Sequence, residues 1–194
     1  KYLNTGNKKS LLDFGCGSGH FIKVAKEAFA DDFDLFGLEH FEDSKKELAP
    51  LLGNNFFYQT SIDELIEKNF TFDVICLWGV LEHLSSPKDV ISSLSKILSP
   101  NGLMLFFVPN ANSLAMQILG INTPTLNPRE HLQFFTREGM TEFMNSFNME
   151  PTVFGQELPV IDLMWEYLPG NFNGHQEIIN NDQGYYQTYV FKKV

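Results

Sequence analysis

Asp13, the glycines at 15, 17 and 19, and Glu39 are the residues whose types and spacing point to chemistry. The segment LLDFGCGSGHF, residues 11–21, carries an apolar run into a glycine-rich turn and then into a helix pattern. Glycines in such a turn admit unusual backbone angles and let a ligand approach the main chain without meeting a Cβ. The first turn of the helix offers unpaired N–H groups to an anionic or polar ligand group. The spacing is GxGxG, whereas a dinucleotide pyrophosphate is seated by GxGxxG. Asp13 stands two residues before the first glycine. A carboxylate there repels a phosphate and can accept a hydrogen bond from an ammonium, directly or through water. Glu39 ends the run Phe36–Glu39, twenty residues beyond Gly19, where a carboxylate can accept from both hydroxyls of a ribose. Together these residues suit a ligand with an amino-acid end, a nucleoside end and no phosphate.

The elements that must position them alternate in type. Apolar runs suited to strands lie at Ser10–Phe14, Asp34–Leu38, Asn55–Tyr58, Phe72–Leu77 and Leu103–Val108, with helix patterns at Gly19–Phe29, Phe41–Leu52, Ile62–Lys68 and Pro87–Leu98 between them. This alternation argues for βαβ units and a parallel sheet. Leu103–Val108 is apolar on both faces, as expected of a strand covered on both sides. The regularity then breaks: residues 109–130 are rich in Asn, Thr and Pro, with one short helix expected near Ser113–Leu119. A connection of that length is more often functional than accidental. Thr136 reads as the N-cap of a helix reaching Phe147, Pro151–Phe154 as a short strand and Gly184–Lys193 as a final strand. A second irregular segment, residues 155–184, separates those two strands.

Composition narrows the partners. The 194 residues hold 14 Lys and Arg against 24 Asp and Glu, a net charge of −10, and residues 139–191 contain no Lys or Arg. A nucleic acid or an anionic membrane is bound through clustered cations, so neither is expected as a partner. No run of about 18 apolar residues exists to span a membrane, and no signal-peptide core opens the chain. The cytoplasm is the expected compartment. The two cysteines form no CxxC motif and no Cys/His cluster, so no metal is expected. Residues 1–194 read as a single domain; an opening Lys1 in place of Met is expected of a piece of a longer protein or a trimmed chain.

The motifs, taken in order, resemble those of the class I S-adenosylmethionine-dependent methyltransferases, in the small-molecule group that includes the ubiquinone and menaquinone enzymes. The resemblance runs from about Lys9 to Met149. Asp13–Gly19 is similar to the family's first motif and Gly37–Glu39 to its ribose-binding acidic position. Thr60–Asp63 lies where the adenine is flanked, and Phe72–Leu84, with its Leu-Glu-His, resembles the fourth-strand motif. Pro100–Gly102 corresponds to the turn before the fifth strand, and Arg129–Thr136 resembles the segment preceding the last helix. The resemblance implies an α/β, Rossmann-like, doubly wound sheet of seven strands, mostly parallel, in the order 3-2-1-4-5-7-6 with strand 7 antiparallel. It implies S-adenosyl-L-methionine as cofactor and S-adenosyl-L-homocysteine as product. The residues expected to hold the cofactor are Asp13, Gly15, Cys16, Gly17, Gly19, Phe21, Glu39, His40, Ser61, Ile62, Leu77 and Trp78.

Methyl transfer from a sulfonium is an in-line displacement that needs proximity and, for some acceptors, a base. His131, beside Arg129 and Glu130, and His83 in the Leu-Glu-His are the candidate catalytic residues. A structural role for His131, pinning a lid, is the alternative. Arg129, His131, Trp165 and Tyr167 are expected to meet the acceptor, because residues 109–130 and 155–184 leave their strands at the carboxyl edge where such sheets bind ligands. The acceptor is expected to be a small molecule, methylated at oxygen, nitrogen or carbon, and the chain a monomer or homodimer. The competing readings are a non-catalytic nucleoside-binding domain of a larger protein and a dinucleotide-dependent oxidoreductase.

Overall fold

The computed structural model describes residues 8–158 and 174–194. Trp165 and Tyr167 lie outside the described residues. The chain runs β1 (Lys9–Phe14), α1 (His20–Phe29), β2 (Phe33–Glu39), α2 (Glu42–Leu52), β3 (Phe56–Tyr58), α3 (Ile62–Glu67), β4 (Phe72–Trp78), α4 (Pro87–Ile97), β5 (Leu98–Pro109), α5 (Leu114–Leu119), α6 (Arg137–Asn145), β6 (Met149–Glu157), α7 (His175–Asn180) and β7 (Tyr186–Lys193). The strands form a seven-stranded sheet in the order β3-β2-β1-β4-β5-β7-β6. β1 to β5 pair in parallel, and β7 runs antiparallel to both β5 and β6. This is the doubly wound architecture that the motifs imply.

The two-residue period of the strands sorts their side chains onto two faces. In β1, Leu12 and Phe14 enter a core with Leu65 of α3, Leu94 of α4 and Met140 of α6. Leu11 points the other way and packs with Ile22 and Ala25 of α1 and Leu48 of α2. In β4, Ile75 and Leu77 serve the first core while Val74 and Cys76 serve the second. Each wholly buried Leu or Ile in these layers contributes about 1.5–3 kcal/mol relative to exposure. The same parity gives Asp13 the face of Leu11, and that decides where its carboxylate goes.

The boundaries differ from the sequence expectation in instructive places. α4 stops at Ile97 and β5 begins at Leu98, ahead of the Pro100–Gly102 turn, because Leu98 already pairs with Phe72 of β4. β6 extends over Met149–Glu157 because all but one of these residues pair with β7, which overrides the weak local preference of a run holding Pro, Gly and Glu. Residues 155–184, expected to be irregular, contain α7, so His175 opens a helix instead of lying in a loop.

Candidate active site

The turn after β1 is built by its neighbours. Gly15 and Cys16 both donate backbone N–H groups to the Leu38 carbonyl, at 2.9 and 3.1 Å, which folds the turn back onto the end of β2. Gly17 has φ +53 and Gly19 φ +74, left-handed values that favour glycine. A Cβ on Gly19 would strike Leu48 of α2, whereas a Cβ on Gly17 would meet nothing within 4 Å. Gly19 is therefore fixed by packing, and Gly17 borders open space. α1 starts at His20 with no side-chain cap, so no capping side chain claims its first-turn N–H groups.

Glu39 ties the loop together. Its Oε2 accepts the Gly17 N–H at 2.7 Å and its Oε1 the His40 N–H at 2.7 Å, while the residue is only 5% exposed. Asp13 is 2% exposed and sits between Gly37 of β2 and Cys76 of β4 in the sheet register. Burial, and then the nearby Glu39 carboxylate, raise the Asp13 carboxyl to about 7. Burial also pushes the Cys16 thiol up to about 12, so that side chain is an inert apolar filler, and its sulfur donates to the Leu38 carbonyl.

Asp13, Gly15, Cys16, Gly17, Phe21 and Trp78 are among the residues that line a cleft of about 550 Å³. Phe21 and Trp78 make its aromatic wall, with ring centroids 5.2 Å apart. The Trp78 indole N–H is buried with no hydrogen-bond partner in reach beyond the weakly accepting Cys76 sulfur. Leu77, one residue earlier, is wholly buried in the core on the α4 side. His40 is exposed beside Glu39. Ser61 and Ile62 begin α3, where Ser61 and Glu64 close a reciprocal capping box. Tyr58 pairs with Glu39 in the sheet, so the start of α3 follows directly from the Glu39 edge.

The two histidines lie together although 48 positions separate 83 from 131. Their ring centroids are 4.7 Å apart, and both stand beside Glu82, a buried carboxyl 3% exposed. His83 Nδ1 lies 2.7 Å from the Glu130 carbonyl and His131 Nδ1 2.7 Å from the Thr125 carbonyl. Leu132 and Gln133 donate their N–H groups to the Glu82 carbonyl at 2.7 and 3.0 Å, clamping the two segments. Glu82 was not singled out from the sequence. The signal available was its place inside the Leu-Glu-His, but its burial shows only in three dimensions. Arg129 is exposed. Arg137 is held elsewhere, 3.0 Å from Asp182 and over the Phe154 ring.

Residues 109–130 are secured to the β7 side. Asn110 donates its side-chain amide to the Asp182 and Gly184 carbonyls, both at 2.8 Å, and the Tyr185 hydroxyl accepts the Thr125 N–H at 3.1 Å. Among the described residues, no helix is long and apolar enough to cross a membrane.

Comparison with known proteins agrees with this fold. A family model described as a methyltransferase domain matches residues 2–152. A tRNA U34 carboxymethyltransferase of Idiomarina loihiensis is 22% identical over 203 residues, covering 82% of this chain and 62% of that protein. A ubiquinone biosynthesis O-methyltransferase of Vibrio atlanticus is 29% identical over 107 residues, covering 54% of this chain and 45% of that one. This chain thus spans less than two thirds of the length of either relative. Among solved structures, a SAM-dependent methyltransferase from Archaeoglobus fulgidus superposes with TM-score 0.65 at 16% identity, covering 96% of this chain and 87% of that one. The family match over residues 2–152 identifies the chain as a member of the methyltransferase domain family, of the class I S-adenosylmethionine-dependent type.

Proposed function

We propose that this domain transfers a methyl group from S-adenosylmethionine to an oxygen, nitrogen or carbon atom of a small-molecule acceptor. The observation that carries the reading is the pairing of Glu39 with Gly17 beside a buried Asp13, with Gly17 and Asp13 lining one cleft. The residues fit the cofactor's three parts. Asp13 gives an ammonium a buried carboxylate, and the open space at Gly17 admits a nucleoside against the main chain. Glu39, already oriented by three backbone N–H groups, keeps a further lone pair on Oε2 for a ribose hydroxyl. His40, Ser61 and Ile62 border the adenine end, while Phe21 and Trp78 wall the methionine end; Leu77 faces the core on the other side of the sheet and leaves that wall to Trp78.

When bound, the cofactor supplies an electrophilic methyl on a sulfonium. The chain's own part is positioning: the clamp between Glu82 and residues 132–133 holds His83 and His131 at the end of β4, next along the chain from Trp78. There they serve as the candidate proton acceptors for an acidic acceptor group. Arg129 is the described residue proposed to meet the acceptor; Trp165 and Tyr167, expected with it, lie outside the described residues. The net charge of −10 supports a small acceptor over a nucleic acid such as the one named for the Idiomarina relative. The chain is read as a single domain of the cytoplasm, acting as a monomer or homodimer.

The decisive test is a calorimetric titration with S-adenosylhomocysteine and, separately, NAD. Binding of the former without the latter supports the reading; tight NAD binding alone overturns it in favour of an oxidoreductase. Product binding with no transfer to any acceptor would favour a non-catalytic nucleoside-binding domain.

A further inference from the structure

We propose that the face of β5 and β7 turned away from α4 and α6 is a docking surface for an amphipathic helix of a partner protein, one whose apolar stripe is bordered on both sides by carboxylates. The burial pattern reveals the surface. Along β5, Met104, Phe106 and Val108 are wholly buried, while Leu103, Leu105 and Phe107 between them are half-buried. Along β7, Gln187, Tyr189 and Phe191 are buried, while Thr188, Val190 and Lys192 are half-buried. Leu105 pairs with Val190 and Leu103 with Lys192, so the open positions form one continuous face.

The run Leu103–Val108 is apolar on both faces, the composition of a strand covered on both sides. α4 and α6 supply one cover, through Ile91, Leu94, Met140 and Met144. On the other side a groove of about 390 Å³ remains, lined by residues of β1, β4, β5, β6 and β7 and by no helix residue. It lies at the edge where β1, β4 and β5 begin, opposite the edge that carries the glycine loop.

Charge selects the occupant. Lys9 of β1 and Lys192 of β7 both line the groove, on either side of a floor made by Val74, Leu103, Leu105 and Val190. In the order β1-β4-β5-β7 these strands stand three spacings apart, about 14 Å. A helix with its side chains is about 10–12 Å across, so one helix laid along β4 and β5 fits between the two lysines. In a chain of net charge −10, neither ammonium makes an ion pair or hydrogen bond among the described residues. Asp73 shares the groove but is engaged by Ser10, whose N–H and hydroxyl donate to its Oδ2 at 2.9 and 3.2 Å. Glu150, opposite Lys192 in the register, forms no ion pair with it. Carboxylates on both borders of an apolar stripe meet these cations, whose stems lie along the floor. A second copy of this chain fits less well. In a two-fold contact the patch meets itself and brings lysine toward lysine, and α1, α2, α4 and α6 already commit their buried apolar residues to the two cores.

The probe is a stapled helical peptide of about 14 residues, roughly four turns, with a Leu stripe bordered on both sides by Glu. Its control carries Lys in place of each Glu. By fluorescence anisotropy at low salt, the Glu peptide is expected to bind the whole chain at least about tenfold more tightly than the Lys peptide. Lys9→Glu combined with Lys192→Glu should reverse that preference, and added salt should weaken it. Val153 is 49% exposed in the groove and both native cysteines are buried. Val153→Cys should therefore react with a thiol reagent in the free chain and be protected by the Glu peptide. Circular dichroism verifies that each variant is folded. No binding of either peptide, equal binding of both, or a preference unmoved by the charge reversal overturns the surface. A Val153→Cys thiol closed to reagent in the folded free chain overturns it too, because the face is then already covered. So does a dimer in sedimentation that Val190→Asp dissociates, which assigns the face to a second copy.

Discussion

The Gly17 N–H donates to Glu39 Oε2 at 2.7 Å, so the loop after β1 is held by the last residue of β2. The bond is charge-assisted and largely shielded from water, and it fixes the carboxylate and the loop amides as one unit. Replacing Glu39 by Ala removes the proposed ribose acceptor and frees the Gly17 and His40 amides together. Affinity for S-adenosylhomocysteine is expected to fall about 10–100-fold, corresponding to ~1.4–2.8 kcal/mol. Calorimetry on the folded variant checks this; unchanged affinity would remove Glu39 from the site.

With the ammonium proposed at Asp13, binding is expected to depend on pH. Burial, followed by Glu39, raises its carboxyl from 3.8 to about 7. The folded, ligand-free chain then holds more protons than the unfolded one between those values. The stability contribution of this group is fully present below 3.8 and is lost as pH rises through about 7. Ligand binding works in the opposite sense, because an ammonium pairs with the ionised form. Affinity for S-adenosylhomocysteine should therefore rise as pH increases toward 7 and level off above it. Asp13→Asn should weaken binding, flatten that profile and stabilise the empty chain at pH 8 by ~2–4 kcal/mol. Calorimetry and denaturant melts across pH 5–8 read both effects.

Gly17 and Gly19 separate binding from folding. Ala at Gly19 meets both the left-handed φ of +74 and the Leu48 side chain, and should destabilise the chain by ~2–4 kcal/mol. Ala at Gly17 meets only the strained φ of +53 and should cost ~1–2 kcal/mol. Its methyl, however, projects into the open space proposed for the ligand, so affinity should fall further than stability. Thermal unfolding paired with calorimetry distinguishes the two patterns.

Asn110 holds the first insertion. It is 1% exposed, donates to two carbonyls of the α7–β7 connection and accepts the Asn112 N–H at 2.8 Å. Asn110→Ala leaves these groups unpaired in a buried place, with an expected loss of ~2–3 kcal/mol. A melting temperature that does not move would contradict this bracing role.

The parts of this protein that local chemistry dictates were legible in the sequence. The glycine loop, Asp13 and Glu39 announce themselves because backbone angles and carboxylate placement are set within a few residues. Alternating apolar runs likewise reveal β1 to β5. Long-range pairing sets the rest. β6 owes its nine residues to β7. The early start of β5 at Leu98 depends on Phe72. α7 interrupts a stretch whose composition suggests only irregular chain. Glu82 shows the same limit at the site: as one letter of a motif it is unremarkable. Its burial, and the approach of His131 across 48 positions, exist only after the turn after β4 meets the segment before α6.

Titration of the purified chain with S-adenosylhomocysteine at pH 8, alongside Asp13→Asn and Glu39→Ala, bears most directly on the cofactor assignment. One ligand per chain, with clear weakening in both variants and no heat from NAD, is the expected result. No binding of S-adenosylhomocysteine to the folded chain, or equal binding by all three proteins, would contradict it.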